Sequence, residues 1–88
     1  MKSFSIKISG LIQGVFFRQS AKEKADGLGI TGWVRNEPSG SVFLEIEGEK
    51  EAIEKFLDWC KLGSPAAIDS LEIFEQPLKN FKDFSIIY

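Results

Sequence analysis

A candidate anion-binding turn lies near the start of the chain, in the residues Gln13, Gly14, Val15, Phe16, Phe17 and Arg18. The turn follows an alternating segment and precedes a helical pattern, which places it where a strand ends and a helix begins. Glycine permits unusual backbone angles there, and the free N–H groups at the start of a helix attract anions. A phosphate or carboxylate bound at this point would also give Arg18 a partner that suits its forked geometry.

Arg18 is a poor choice for helix stability alone. A cation in the first turn opposes the helix dipole, which costs roughly a few tenths of a kcal/mol. A surface arginine beside a flexible glycine turn would nevertheless produce the same spacing, because junctions of this kind are common. Spacing by itself therefore leaves both an anion site and an ordinary surface arginine open.

A second candidate segment precedes a turn and consists of Gly32, Trp33, Val34, Arg35 and Asn36. Asparagine is frequent where a turn begins, since its side chain hydrogen-bonds to the nearby backbone. We expect Arg35 to be a solvated strand residue and Trp33 to serve packing. The residue types alone assign no chemistry to Asn36.

Several kinds of chemistry are excluded by composition. The chain contains no histidine and a single cysteine, Cys60. Histidine-assisted nucleophiles and histidine-ligated metals are therefore absent, and one thiol makes neither an internal disulfide nor a structural zinc site. Glu45 and Glu47 have the spacing of the outer face of a strand rather than of a catalytic pair. We expect no metal.

Length and charge limit the partners. The chain has 88 residues and a net charge of −2, which predicts a single domain over residues 1–88. The charge argues against a nucleic-acid partner, which needs a basic face, and against a polybasic membrane patch. No apolar run is long enough to span a bilayer, and the chain start has no signal-peptide pattern. We expect a cytoplasmic monomer.

The first half of the chain alternates between strand and helix patterns. Phe4, Ile6 and Ile8 alternate with polar residues and predict a strand. Apolar residues at helical spacing predict a helix from about Phe17 to Leu28, which Gly29 ends. A strand over 30–36, a turn at 37–40 and a strand over 41–47 then form a hairpin.

The second half repeats the pattern more weakly. Residues from Glu49 onwards begin a second helix, which Gly63 ends. Its apolar stripe consists of Ala52, Ile53, Phe56, Leu57 and Cys60. A weakly alternating segment over 68–76 and a short final strand over 84–88 follow. The order β-α-β-β-α-β predicts an α+β fold, with an antiparallel sheet and both helices on one face.

The two candidate segments together resemble the signatures of the acylphosphatase family. That pattern is Gly-x-Val-Gln-Gly-Val-x-Phe-Arg, then Gly-Trp-Val-x-Asn and a turn that contains glycine. Here the first block spans residues 10–18, the second spans residues 32–36, and the turn glycine is Gly40. Ile12 replaces the usual valine, Ser39 stands where aspartate is common, and Glu37 follows Asn36. The loop at 63–66 and the strand at 84–88 also resemble the family.

The resemblance implies a ferredoxin-like α/β sandwich that hydrolyses acyl phosphates to a carboxylate and inorganic phosphate. It implies that Arg18 binds the phosphoryl group together with the amides of the loop at 13–18. The matched Asn36 would position the attacking water. No metal or cofactor is implied.

Two other functions remain open from the sequence. A non-catalytic module could bind phosphate or a carboxylate through the same loop, although it would not need an asparagine that positions water. An RNA-binding domain of the same fold would need exposed aromatic residues on the central strands and a basic face. The net charge of −2 argues against RNA binding.

Overall fold

The computed structural model describes residues 1–14 and 16–88, so Val15 lies outside the described residues. Within the described part, five strands and two helices follow one another in the order expected. They are β1 (Lys2–Leu11), α1 (Phe17–Leu28), β2 (Thr31–Asn36), β3 (Val42–Gly48), α2 (Lys50–Leu62), β4 (Ala67–Gln76) and β5 (Phe84–Ile87).

All five of these strands form one sheet in the order β4-β1-β3-β2-β5. The pairs β1–β3, β1–β4 and β2–β3 are antiparallel, as the pattern predicts. The prediction of a wholly antiparallel sheet needs one correction, because β5 runs parallel to β2. β4 already occupies the free edge of β1, and the chain therefore crosses to the opposite edge before β5 begins. There the main-chain N–H of Gly32 donates to the carbonyl oxygen of Asp83 at 2.8 Å.

Both helices pack on the same face of the sheet, which confirms the predicted sandwich. Ile6, Ile8, Val34, Leu44, Ile46 and Phe84 are buried on the strands. The buried helix residues are Phe17, Ala21 and Ala25 of α1 and Ile53, Phe56 and Cys60 of α2. Each large apolar side chain buried here stabilises the fold by about 1.5–3 kcal/mol relative to exposure. The buried residues of α1 therefore hold this helix against the sheet.

The helix boundaries agree with the sequence. α1 covers Phe17–Leu28, and Gly29 adopts a left-handed conformation with φ 72°, from which its N–H reaches the carbonyl oxygens of Ala25 and Asp26. α2 ends before Gly63, as expected. The helical apolar stripes were therefore sufficient to place both helices.

Gly32 is required where β2 pairs with β3. Its φ is 139°, and a Cβ atom built on it would overlap the carbonyl oxygen of Glu45. A side chain at this position would push the two strands apart. The glycine of the second candidate segment therefore has a packing role, which keeps β2 in register with β3.

The face of the sheet opposite the helices is crossed by the segment that leads from β4 to β5. Glu47 lies beneath this segment and is only 1% exposed. Its carboxylate accepts hydrogen bonds from the main-chain N–H groups of Lys79 at 2.8 Å and Asn80 at 2.9 Å. These bonds guide the chain towards the edge where β5 pairs.

Among the described residues, no helix has the length and apolarity needed to cross a membrane.

Candidate active site

A cleft of about 680 Å³ opens where the end of β1, the start of α1 and the ends of β2 and β5 meet. Its described lining combines amide, guanidinium and apolar side chains. The residues are Ile12, Gln13, Gly14, Phe16, Phe17, Arg18, Gln19, Asn36, Ile86 and Tyr88. The cleft thus contains both of the segments that the sequence singled out.

Arg18 lies in the first turn of α1, on the wall of the cleft. Its Nη1 atom lies 3.4 Å from the carbonyl oxygen of Ile87, to which it donates a long hydrogen bond. The guanidinium carbon lies 4.9 Å from the centroid of the Tyr88 ring. Two contacts from the end of β5 therefore orient the arginine, and they use only part of its five N–H donors.

The N-terminus of α1 has no cap of its own. Phe16 occupies the N-cap position with φ 59° and ψ 26°, and its side chain makes no capping hydrogen bond. No acidic residue lies in the first turn of the helix. Gly14, just before, has a φ of 80°, which glycine adopts without strain. Uncapped N–H groups and an unopposed positive dipole end make this turn favourable for an anion.

Asn36 approaches the cleft from the other side, at the end of β2. The hairpin that follows it is closed by a hydrogen bond from the N–H of Glu37 to the carbonyl oxygen of Ser41 at 2.8 Å. The side chain of Gln13 ties the first segment to this hairpin. Its Nε2 atom donates to the carbonyl oxygens of Glu37 at 2.8 Å and Ser41 at 3.0 Å. Gln13 is therefore bonded directly to both sides of the hairpin turn that follows Asn36.

The carboxylate of Glu37 is held away from the cleft. Its Oε1 accepts a hydrogen bond from Nε of Arg35 at 3.1 Å. Arg35 itself lies 5.0 Å from the ring centroid of Trp33, on the open face of the sheet. The pair keeps the Glu37 carboxylate out of the described lining of the cleft. Among the side chains of the described lining residues, only that of Arg18 is of a charged type.

Every described residue predicted for the site lines the cleft. Gln13, Gly14, Phe16, Phe17, Arg18 and Asn36 all do so, whereas Val15 lies outside the described residues. Phe16 is 82% exposed and Phe17 only 2% exposed, so the first ring lies in solvent and the second in the core.

Sequence reasoning missed four lining residues, which are Ile12, Gln19, Ile86 and Tyr88. Gln19 follows Arg18 on α1 and could have been found from the helix. Tyr88 reaches Arg18 only because β5 pairs with β2, and no local pattern indicates that pairing.

The other titratable groups of interest lie away from the cleft. Burial alone would raise the pKa of Glu45, but hydrogen bonds from Lys79 and Gln76 and the charge of Lys79 bring it below its ordinary value. Burial raises the pKa of the Cys60 thiol to about 12, so this side chain is an unreactive part of the core. The described residues contain no group of three or more histidine, cysteine, aspartate or glutamate side chains that could hold a metal ion.

Comparison with known proteins identifies the family. The family model described as Acylphosphatase matches residues 4–86. An acylphosphatase of Methylococcus capsulatus is 40% identical over 89 aligned positions, which cover 99% of this chain and 97% of that protein. An acylphosphatase of Aeropyrum pernix is 45% identical over 86 positions, which cover 94% of this chain and 85% of that protein. The crystal structure of acylphosphatase from Bacillus subtilis superposes with a TM-score of 0.95 at 33% identity, over the whole of both chains.

The fold and the match over nearly the whole length define a ferredoxin-like hydrolase. The chain belongs to the acylphosphatase family. The predictions of the family, the fold class and an acylphosphatase type of enzyme are confirmed, and a small-molecule substrate follows from them.

Proposed function

We propose that the cleft hydrolyses the carboxyl–phosphate bond of acyl phosphates, with Arg18 and the loop amides as the phosphoryl site and Asn36 as the group that positions water. The observation that carries this proposal is that Arg18 and Asn36, 18 residues apart in sequence, line the same cleft. The uncapped start of α1 supplies N–H donors beside the arginine. Together these groups offer positive charge and directed donors to a phosphoryl group.

Each residue has its own part in the reaction. Arg18 and the main-chain N–H groups of residues 13–18 bind the phosphoryl oxygens and stabilise the charge that spreads over them in the transition state. The Asn36 side chain hydrogen-bonds to a water molecule and holds it in line with the bond that breaks. Gln13 contributes through its main chain, because its side chain is committed to the hairpin.

The absence of histidine from the chain fits this chemistry. The leaving group is a carboxylate, whose conjugate acid has a pKa of roughly 4, so it departs as an anion without a general acid. The water oxygen forms a bond to phosphorus while the bond from phosphorus to the carboxyl oxygen breaks. The proton of the water passes to a phosphoryl oxygen of the substrate. Positioning and charge stabilisation are then the main requirements of catalysis.

We further propose that the enzyme works as a monomer in the cytoplasm without a nucleic-acid partner. All the described groups assigned to the reaction come from one chain. A free thiol at Cys60 suits a reducing compartment. Trp33 and Phe43 do lie on the open face of the sheet, but their rings stack on one another 5.9 Å apart. The carboxylate of Glu45 stands beside them, which disfavours a nucleic-acid backbone.

The decisive experiment is hydrolysis of benzoyl phosphate in water labelled with heavy oxygen. We expect release of benzoate and inorganic phosphate, with the label in the phosphate, because the water attacks phosphorus. The rate should be unchanged by excess chelator, since the proposed groups require no metal. Label in the benzoate would show attack at the carbonyl carbon and contradict the role given to Asn36. Loss of activity on chelation, with recovery on adding magnesium or zinc, would contradict the metal-independent mechanism.

A further inference from the structure

Two aromatic side chains at the rim of the cleft contribute little to the fold. Phe16 is 82% exposed and Tyr88 is 95% exposed, and both line the cleft. An aromatic ring that stays in water gives almost none of the stabilisation that burial provides. Packing of the core therefore does not explain why aromatic residues occupy these two positions.

The backbone at Phe16 strengthens this argument. Its φ of 59° lies in the left-handed region, where glycine and asparagine are favoured and a bulky side chain is strained. Strained residues concentrate at functional sites. The exposed ring on a strained backbone therefore points to a role for Phe16 at the cleft.

The cleft is lined by both polar and largely apolar side chains. Arg18 and Asn36 are among the polar ones, and Phe16, Ile86 and Tyr88 are among the apolar ones. The Tyr88 ring lies beside Arg18, because the guanidinium carbon is 4.9 Å from its centroid. A phosphoryl group bound to Arg18 would therefore place the rest of the substrate close to the Tyr88 ring. No second fully charged cation is among the described lining residues to meet another anionic group.

We propose that Phe16 and Tyr88 form the subsite for the acyl group and select acyl phosphates whose acyl group is uncharged and apolar, above all aromatic. This inference rests on the proposed function. An aromatic acyl group would cover the exposed rings and bury apolar surface from both sides. An acyl group that carries its own carboxylate would lose water from that charge on binding and would gain no cationic partner in return.

The test compares benzoyl phosphate with acetyl phosphate in matched variants. Phe16→Asn removes the ring and suits the left-handed backbone, whereas Phe16→Tyr keeps a ring. Phe74→Asn is the control, because Phe74 is 63% exposed on β4 and is not among the described lining residues. We expect the ratio of kcat/KM for benzoyl phosphate to that for acetyl phosphate to fall about tenfold in Phe16→Asn, or about 1.4 kcal/mol. The ratio should stay within about twofold in Phe16→Tyr and Phe74→Asn, a difference well under 1 kcal/mol.

Two results for the kcat/KM ratio in Phe16→Asn would contradict the inference. A ratio unchanged in Phe16→Asn, or a parallel loss for both substrates, would show that Phe16 does not contact the acyl group. If the wild-type protein hydrolysed neither substrate, the proposed function would fail, and the subsite would then be tested by binding alone. Calorimetry with benzoylphosphonate and acetylphosphonate, which lack the scissile oxygen, should show the same tenfold change in the ratio of Kd values. An unchanged Kd ratio would reject the subsite.

A charged acyl group provides an independent arm of the test. We expect 4-carboxybenzoyl phosphate to have a kcat/KM at least about fivefold below that of benzoyl phosphate, because its carboxylate meets no cation. Gln19→Lys adds a cation to the lining and should recover part of that loss for this substrate alone. Equal hydrolysis of the two substrates by the wild-type protein would show that the acyl subsite does not discriminate by charge.

Discussion

The side-chain amide of Gln13 donates a hydrogen bond of 2.8 Å to the main-chain carbonyl oxygen of Glu37, the residue that follows Asn36. A second bond from the same Nε2 atom reaches Ser41 at 3.0 Å. One side chain thus connects the turn before α1 to the hairpin that carries Asn36. The two halves of the proposed site are held together by this link as well as by the core beneath them.

Removal of this link should impair catalysis more than folding. We expect Gln13→Glu, which has the same shape but cannot donate, to lower kcat/KM by about tenfold, because its carboxylate repels the two carbonyl oxygens. Gln13→Ala should have a smaller effect on kcat/KM. Steady-state kinetics and urea unfolding measure the two effects. A loss of stability without any change in kcat would show that the link serves the fold alone.

Replacing Arg18 should change both phosphate binding and turnover, whereas replacing Asn36 should change turnover alone. Arg18→Ala should weaken competitive inhibition by inorganic phosphate and also reduce turnover, because the guanidinium contacts the phosphoryl group throughout. Arg18→Lys should have phosphate inhibition and turnover between those of the wild type and Arg18→Ala, since lysine keeps the charge without the forked donors.

Asn36→Ala should lower kcat by about a hundredfold or more, the scale for losing a well-placed polar group in a preorganised site. Inhibition by inorganic phosphate should stay nearly unchanged in this variant.

Near-UV circular dichroism must first show that these variants are folded. If Asn36→Ala abolished phosphate inhibition while bound substrate still turned over, the role proposed for Asn36 would be wrong. Asn36 would then be a ligand contact or simply the residue that begins the turn.

Glu47 should matter for stability and not for catalysis. It is buried, and its carboxylate accepts two main-chain hydrogen bonds at the opposite end of β3 from the cleft. In Glu47→Gln, an NH₂ group faces one of those N–H groups, which should lower the free energy of unfolding by about 1–3 kcal/mol. Glu72→Gln, an exposed replacement on β4, is the matched control and should change it by less than about 0.5 kcal/mol. Equal urea midpoints for the two variants would refute the structural role of Glu47.

The ion pair of Glu45 predicts a pH dependence of stability. Lys79 Nζ lies 2.6 Å from its carboxylate, Gln76 Nε2 donates to it at 2.7 Å, and the net pKa lies below the ordinary value of 4.5. The group therefore contributes stability that is fully present above pH 4.5 and is lost as the pH falls through the lower folded pKa. The difference in unfolding free energy between wild type and Glu45→Gln should be largest near neutral pH and smaller at pH values below the folded pKa. A difference independent of pH would contradict this assignment.

Local patterns in the sequence were enough to place most of the elements. The apolar stripes and the glycines that follow them located both helices, and Pro38 and Gly40 marked the hairpin. These signals act over a few residues, because a helix repeat or a tight turn depends on neighbours in the chain. The two motif segments could also be recognised directly, and the structure brings their described residues to one cleft.

Other features depended on contacts between residues far apart in sequence. The parallel pairing of β5 follows from which sheet edge is free, and the burial of Glu47 follows from the crossing that this pairing requires. Tyr88 meets Arg18 only as a result of the same pairing. Composition and local pattern determined which elements form and which chemistry is available. Tertiary structure decided which aromatic rings remain at the cleft, because that depends on packing across the whole sheet.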